Sequence, residues 1–214
     1  MAVSSFQRQQ AATGLEQLAS LVRAQAWRGD GGAPLSPTQA AVLRMLPRSG
    51  PGLRARDVAG RLGVSAASLS DTLKVLEARG WIERRPDPAD GRALILRPTR
   101  AGWRLAEKLQ DPLRGIGSLL DGLDAPDLGA LLRITQLLVR EAQDRGLATG
   151  LRTCLGCRHF RAYATGRPDK PHFCAFVERP FGDAELRTDC AEHEPAGEPE
   201  LAESAARFRQ AIPR

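Results

Sequence analysis

The chain has 214 residues, 42% hydrophobic and only 5% aromatic, with a formal net charge of +6 and a pI near 9.8. Such a chain can build one large domain, or an ordinary domain with an attachment, and its positive balance admits an anionic partner. Its polar start, MAVSSFQRQQAATGLEQ, carries no apolar signal core, and no run approaches the ~18 apolar residues of a membrane span, so a cytoplasmic protein without membrane contact is expected.

Residues 4–27 are predicted to form a helix, with Phe6, Leu15, Leu18, Leu21, Val22 and Trp27 supplying apolar contacts. RGDGGAP breaks it, and LSPTQAAVLRML opens a second helix with Ser36 as N-cap and Pro37 in the first position. PRSGPG ends that helix by removing donors and admitting positive φ. The next run, LRARDVAGRLGVSAASLSDTLKVLEARGWIERR, is the most informative. A helix over 54–62 presents Val58 and Leu62, Gly63 makes a tight turn, and Ser65 caps a helix over 66–79. That helix places Leu69, Leu73 and Leu76 on one face and stops at Gly80. Two helices joined by a turn of this kind form a helix-turn-helix. WIERRP and RALILRP can pair as strands around DPADG, which makes a wing directly after it. Thr99 then caps TRAGWRLAEKLQ, and Asp124 caps a further amphipathic helix. The apolar stripe of that helix runs through Leu128, Leu131, Leu132, Ile134, Leu137 and Leu138.

The order of these elements resembles the MarR family of bacterial transcription regulators over about residues 5–146. The likeness is carried by LGVSAASLSDTLKVLEARGWIERRPDPADGRALILRPTRAG: the LEARGWIER exit from helix to strand, the wing triplet Asp90-Gly91-Arg92, and Thr99-x-x-Gly102 after the wing. The resemblance implies a homodimer, intertwined through segments 4–27 and 104–146, on a pseudo-palindromic operator of double-stranded DNA. With its leucines inward, helix 66–79 frees Ser65, Ala67, Ser68, Asp71 and Lys74 for the major groove. Arg84, Arg85 and Arg92, with Arg97, Arg100 and Arg104 behind them, ring the wing and suit phosphate or minor-groove contact. Many relatives carry a basic residue near Asp71, and Ala66 replaces what is often a longer polar side chain. This chain should therefore rely on its wing and on DNA shape more than on bidentate arginine readout.

Beyond Gly150 the pattern changes. Cys154, Cys157, Cys174 and Cys190 follow C-x2-C-x16-C-x15-C, with no cysteine in the preceding 153 positions. In a reducing compartment such clustering points to metal ligands or redox thiols before structural disulfides. Four thiolates satisfy a [4Fe–4S] cluster or tetrahedral Zn²⁺ equally in number. The wide, uneven gaps tip the reading slightly towards iron–sulfur. His193, in CAEH, or His172, in PHFC, could replace a cysteine in a zinc set, and a reversible Cys154–Cys157 disulfide is a third possibility. Phe160 and Phe173 are expected to wall the site from water, with His159 a bystander.

The expected fold is mainly α with a small β-wing: a winged helix-turn-helix within an intertwined helical dimer, plus a small irregular Cys-rich metal module. Its segments are a MarR-like DNA-binding and dimerisation domain over 1–150, the cysteine module over 151–195, and a tail able to form a helix over 196–214. No Gly-rich phosphate loop, G-x-S-x-G or H-E-x-x-H occurs, so an enzyme is not expected. The function expected is a DNA-binding regulator whose four-cysteine site senses redox or metal status. The alternatives are a regulator of small-molecule ligands with a structural zinc module, or an adaptor for protein partners.

Overall fold

The computed structural model describes residues 3–27, 35–48, 50–109 and 116–210. The chain divides into two compact units, Met1–Asp121 and Gly122–Arg214.

The first unit opens with α1 (Ser5–Trp27). Ser4 and Gln7 cap it reciprocally: the Gln7 N–H donates to Ser4 Oγ at 3.1 Å and the Ser4 N–H to Gln7 Oε1 at 2.9 Å. Four of its described apolar side chains find no core within this unit. Phe6 is 70% exposed, and Leu15, Leu18 and Leu21 are exposed as well. The side chain of Trp27 and the RGDGGAP break lie outside the described residues. α2 (Pro37–Met45) starts on a full capping box between Ser36 and Gln39, with Pro37 at the head of the helix, where its missing N–H costs nothing.

β1 (Leu53–Arg54), α3 (Ala55–Leu62) and α4 (Ala66–Ala78) follow. Gly63 ends α3 at φ 63°, a left-handed cap that suits glycine, and Ser65 Oγ accepts from the Ser68 N–H to start α4. β2 (Ile82–Asp87) and β3 (Asp90–Pro98) form the wing hairpin, turning through Pro88 and Ala89. The sequence predicts two strands here, but the sheet has three, in the order β1-β3-β2. Leu53 and Arg54 pair with Leu96 and Ile95, a stretch too short to carry an alternating pattern of its own. Leu43, Val58, Leu69, Leu73, Leu76 and Leu96 make the centre of the core, which holds α4 against the sheet.

α5 (Arg100–Leu109) starts on Thr99, whose Oγ1 accepts from the Gly102 N–H at 3.1 Å and donates to the Gly80 carbonyl at 2.6 Å. A Cβ on Gly102 would stand 1.8 Å from the Trp81 carbonyl oxygen, so the helix can cross the chain there only without a side chain. Thr99-x-x-Gly102 is thus a close-packing device. α6 (Ile116–Leu120) ends the helices of this unit.

The second unit begins with α7 (Ala125–Asp144), capped by Asp124 as expected. Its apolar stripe is only partly covered within this unit: Leu128, Leu132 and Leu137 are half-buried, Leu131, Ile134 and Leu138 are exposed, and the buried positions are Gly129, Arg133 and Gln136. The segment after it is not irregular. β4 (Phe160–Arg161), β5 (His172–Cys174) and β6 (Arg179–Phe181) form an antiparallel sheet in that order, flanked by 3₁₀ turns at Cys154–Gly156 and Asp183–Glu185. α8 (Glu198–Gln210) is no loose tail: Phe208 is fully buried with Leu155, Phe160, Phe181 and Leu186. Burial of such a ring contributes roughly 1.5–3 kcal/mol. The compact division therefore falls at Asp121, where the sequence reading placed it after residue 150, because α7 and α8 both pack on the cysteine segment.

Candidate functional site

The first turn of α4 is open. Ser65, Ala67 and Ser68 are exposed at its N-terminal end, and Asp71 and Lys74 follow on the outer face. Asp71 and Lys74 form an ion pair at 3.1 Å, which neutralises the lysine within the protein. The wing arginines are exposed, but two are engaged. Arg84 pairs with Glu77 of α4 at 2.6 Å, and Arg85 with Glu83 at 2.7 Å. Arg92 lies just past the wing turn with no carboxylate partner among the described residues, so of these three arginines it is the one left available to an external anion.

A buried acid holds the wing, and the sequence does not reveal it. Asp87 is 8% exposed; its carboxylate accepts from the Ala89 N–H at 2.9 Å and from Arg54 Nε at 2.7 Å. Arg54 also reaches Asp90 at 3.4 Å, so the extra strand β1 clamps both ends of the turn. The Ala89 N–H first, and the Arg54 guanidinium second, hold the Asp87 carboxyl below its ordinary range. Asp90 of the wing triplet accepts the Arg92 N–H at 3.2 Å. DPADG identifies a turn; only burial separates its structural acid from its exposed one.

In the second unit all four cysteines are free thiols lining one cavity of about 330 Å³, together with His159, Phe160, Phe176 and Phe181. Cys154 opens a 3₁₀ turn and Cys157 closes it, its N–H donating to the Cys154 carbonyl at 2.9 Å. Cys174 ends β5, paired with Phe160 on one side and Arg179 on the other. Cys190 is held by its N–H to the Arg152 carbonyl at 3.0 Å. The Arg187 N–H donates to Cys154 Sγ at 3.3 Å. Burial, chiefly, pushes the Cys154 thiol up to about 11, and the other three cysteines add to it in the order Cys190, Cys157, Cys174. Among the described residues, no three His, Cys, Asp or Glu side chains stand close enough to hold a single metal ion.

The histidines sort differently from the sequence reading. His172 is fully buried and both ring nitrogens are used. Nδ1 accepts from the Tyr163 N–H at 3.3 Å, which leaves the proton on Nε2 to donate to Asp183 at 2.7 Å. It belongs to the aromatic core, and its ring lies 5.2 Å from that of Phe160. His193 does not line the cavity; its Nε2 points at Gly156, 3.6 Å from where a Cβ would be. His159, expected as a bystander, does line it, and its Nε2 lies 3.3 Å from Glu194.

α7 holds this site through polar side chains. Gln136, with no exposed surface, donates to the Arg187 carbonyl at 2.9 Å and accepts the Leu155 N–H at 2.9 Å. Arg133 donates to Tyr163 Oη and to the Phe208 carbonyl, each at 2.6 Å, with its guanidinium 4.7 Å above the Phe208 ring. At Gly129 an added Cβ would meet Asp183 at 3.0 Å.

A helix-turn-helix backed by an antiparallel hairpin, with the outer face of its second helix open, defines a winged helix-turn-helix protein. The particular relationship is closer. Residues 33–93 match the model of the MarR family. Solved structures of that fold superpose on about two thirds of the chain. FabT of Streptococcus pneumoniae, in complex with DNA, is 20% identical, covering 65% of this chain and 99% of that one, at a TM-score of 0.51. A MarR/EmrR family transcriptional regulator from Acinetobacter sp. ADP1 is 19% identical over 64% of this chain and 97% of that one, at 0.55. PcaV of Streptomyces coelicolor, in complex with its natural ligand, is 25% identical over 66% and 99%, at 0.50. No curated protein matches the chain. The family match ends at residue 93, so every cysteine lies beyond it. Among the described residues, no helix is long and apolar enough to cross a membrane.

Proposed function

We propose that this protein is a MarR-type transcriptional regulator that binds double-stranded operator DNA as a homodimer in the cytoplasm, with its four-cysteine site as the input. The observation that carries the reading is the open, small-residue first turn of α4 beside a wing edged by Arg84, Arg85 and Arg92. Small side chains let the helix sit deep in a major groove, and the arginines supply phosphate and minor-groove contacts. The family match and the DNA complex of FabT support it. Unpartnered apolar surface on α1 (Phe6, Leu15, Leu21) and on α7 (Leu131, Ile134, Leu138) supports a seam between two copies. A two-fold dimer would set its α4 helices about one DNA turn, roughly 34 Å, apart.

The input reading rests on the four thiols of one cavity and on Gln136, which joins α7 to the Cys154 loop. A cofactor there would order the loops on α7, and its loss would loosen them.

Selection of bound duplexes from a randomised pool, followed by footprinting, tests the function. The expected product is an inverted repeat protected on one face. Weak, salt-sensitive binding without sequence preference would refute it and favour an adaptor.

A further inference from the structure

Resting on the reading of the second unit as cofactor-bearing, we infer that the four-thiol cavity is shaped for a [4Fe–4S] cluster and not for a lone zinc ion. Zinc binds thiolates at about 2.3 Å, so a tetrahedral set brings its sulfurs into mutual contact around the ion. The thiols here are placed otherwise. Cys154, Cys157, Cys174 and Cys190 face a shared cavity of about 330 Å³ instead of closing on one point. The cavity has room for a guest of several atoms.

The walls suit that guest. Four thiolates on a [4Fe–4S]²⁺ core carry a net charge of −2, which the protein must offset. The Arg187 N–H already donates to Cys154 Sγ at 3.3 Å, as hydrogen bonds to cluster sulfurs do; Arg179 and Arg187 line the cavity too but are balanced there by Glu185 and Glu192, so the offset rests on that hydrogen bond. Phe160 and Phe181 close its inner side, and Phe176, 49% exposed, stands at its rim, where water and oxidants would enter. The ligands come from four separate places: both ends of a 3₁₀ turn, the end of β5, and the loop before α8. A cubane, whose four irons point to the corners of a tetrahedron, takes its ligands from such separate places.

Loading is a ligand exchange. From a preformed [4Fe–4S]²⁺ cluster with four small thiolate ligands, four iron–thiolate bonds break and four Fe–Sγ bonds form. The four cysteine protons pass to the departing thiolates, with no change of oxidation state.

The full-length protein is mixed anaerobically with that synthetic cluster, and in a parallel arm with Zn²⁺. Expected are four iron and four sulfide per chain, a broad visible absorption, and an Fe–Fe scattering path in X-ray absorption. Cys174→Ser should lower iron below four per chain, with far-UV circular dichroism reporting whether the variant folds. If it does not fold, the wild-type stoichiometry and scattering path decide alone. The inference is overturned if the cluster fails to transfer, or if one Zn²⁺ per chain takes four-sulfur coordination and blocks transfer. Duplex selection on the same samples separates the two readings: a loaded cluster without sequence-selective DNA binding refutes only the regulator, and a zinc-only protein that still selects an operator refutes only the cluster.

Discussion

Gln136 Oε1 accepts the N–H of Leu155 at 2.9 Å, so a helix side chain holds the backbone of the turn between Cys154 and Cys157. Its Nε2 holds the Arg187 carbonyl at 2.9 Å, and Arg187 in turn donates to Cys154 Sγ. Gln136→Leu keeps the approximate volume but leaves the buried Leu155 N–H unpaired, while the Arg187 carbonyl keeps the Cys154 N–H at 3.1 Å. The unpaired N–H costs about 1–3 kcal/mol. Thermal unfolding should show a lower melting temperature for the second unit, and a cluster loaded as proposed should dissociate faster. An unchanged melting curve would mean that water replaces the bond to the Leu155 N–H.

Asp71 neutralises Lys74 across 3.1 Å, and on the proposed DNA-binding function this pair opposes phosphate contact by Lys74. Both side chains are exposed, so the pair adds little to stability. Asp71→Asn should leave the melting temperature unchanged and raise affinity for duplex DNA. The slope of log affinity against log salt should steepen by about 0.9, one further phosphate contact. Fluorescence anisotropy across a salt series measures both, and an unchanged slope would place Lys74 away from the backbone.

Gly102→Ala puts a methyl group where only 1.8 Å separates it from the Trp81 carbonyl oxygen. Backbone on both sides must shift, at a cost of about 1–3 kcal/mol. Urea unfolding should show a lower midpoint with unchanged slope. Gly91 at the wing has nothing within 4 Å of an added Cβ, so Gly91→Ala serves as the control with little effect.

Asp87 makes the wing acid-sensitive. Its carboxyl titrates below its ordinary value when folded, so its stabilisation is fully present above the unfolded value of about 4 and is lost as pH falls through the folded one. Acid titration of the wing followed by NMR should show β1 separating from β3 below about pH 4. Asp87→Asn should weaken the wing at neutral pH and flatten that acid limb, and a variant that keeps the wild-type limb would assign it to another carboxylate.

Much of the first unit was legible in the chain. Ser36, Pro37, Gly63, Ser65 and Gly80 mark ends that depend on neighbours a few residues away, and the leucine spacing of α4 needs only helical geometry. The cysteine spacing likewise identified the residues that line the cavity, though it did not separate His159 from His172 or His193. The inner face of α7 was not legible for a physical reason. Hydrophobic periodicity finds the apolar stripe, whereas Arg133 and Gln136 are buried and satisfied by groups 19 to 75 positions away.

Local signals, then, were enough to establish from sequence the helix-turn-helix, its wing and the four thiols, because caps, turns and helical spacing act within a few residues. The third strand, the Arg54–Asp87 clamp, the buried His172 and the Gln136 hold on the cysteine turn were decided only by tertiary structure. Each depends on which distant group accepts a polar side chain once water is excluded, and no local pattern records that partner.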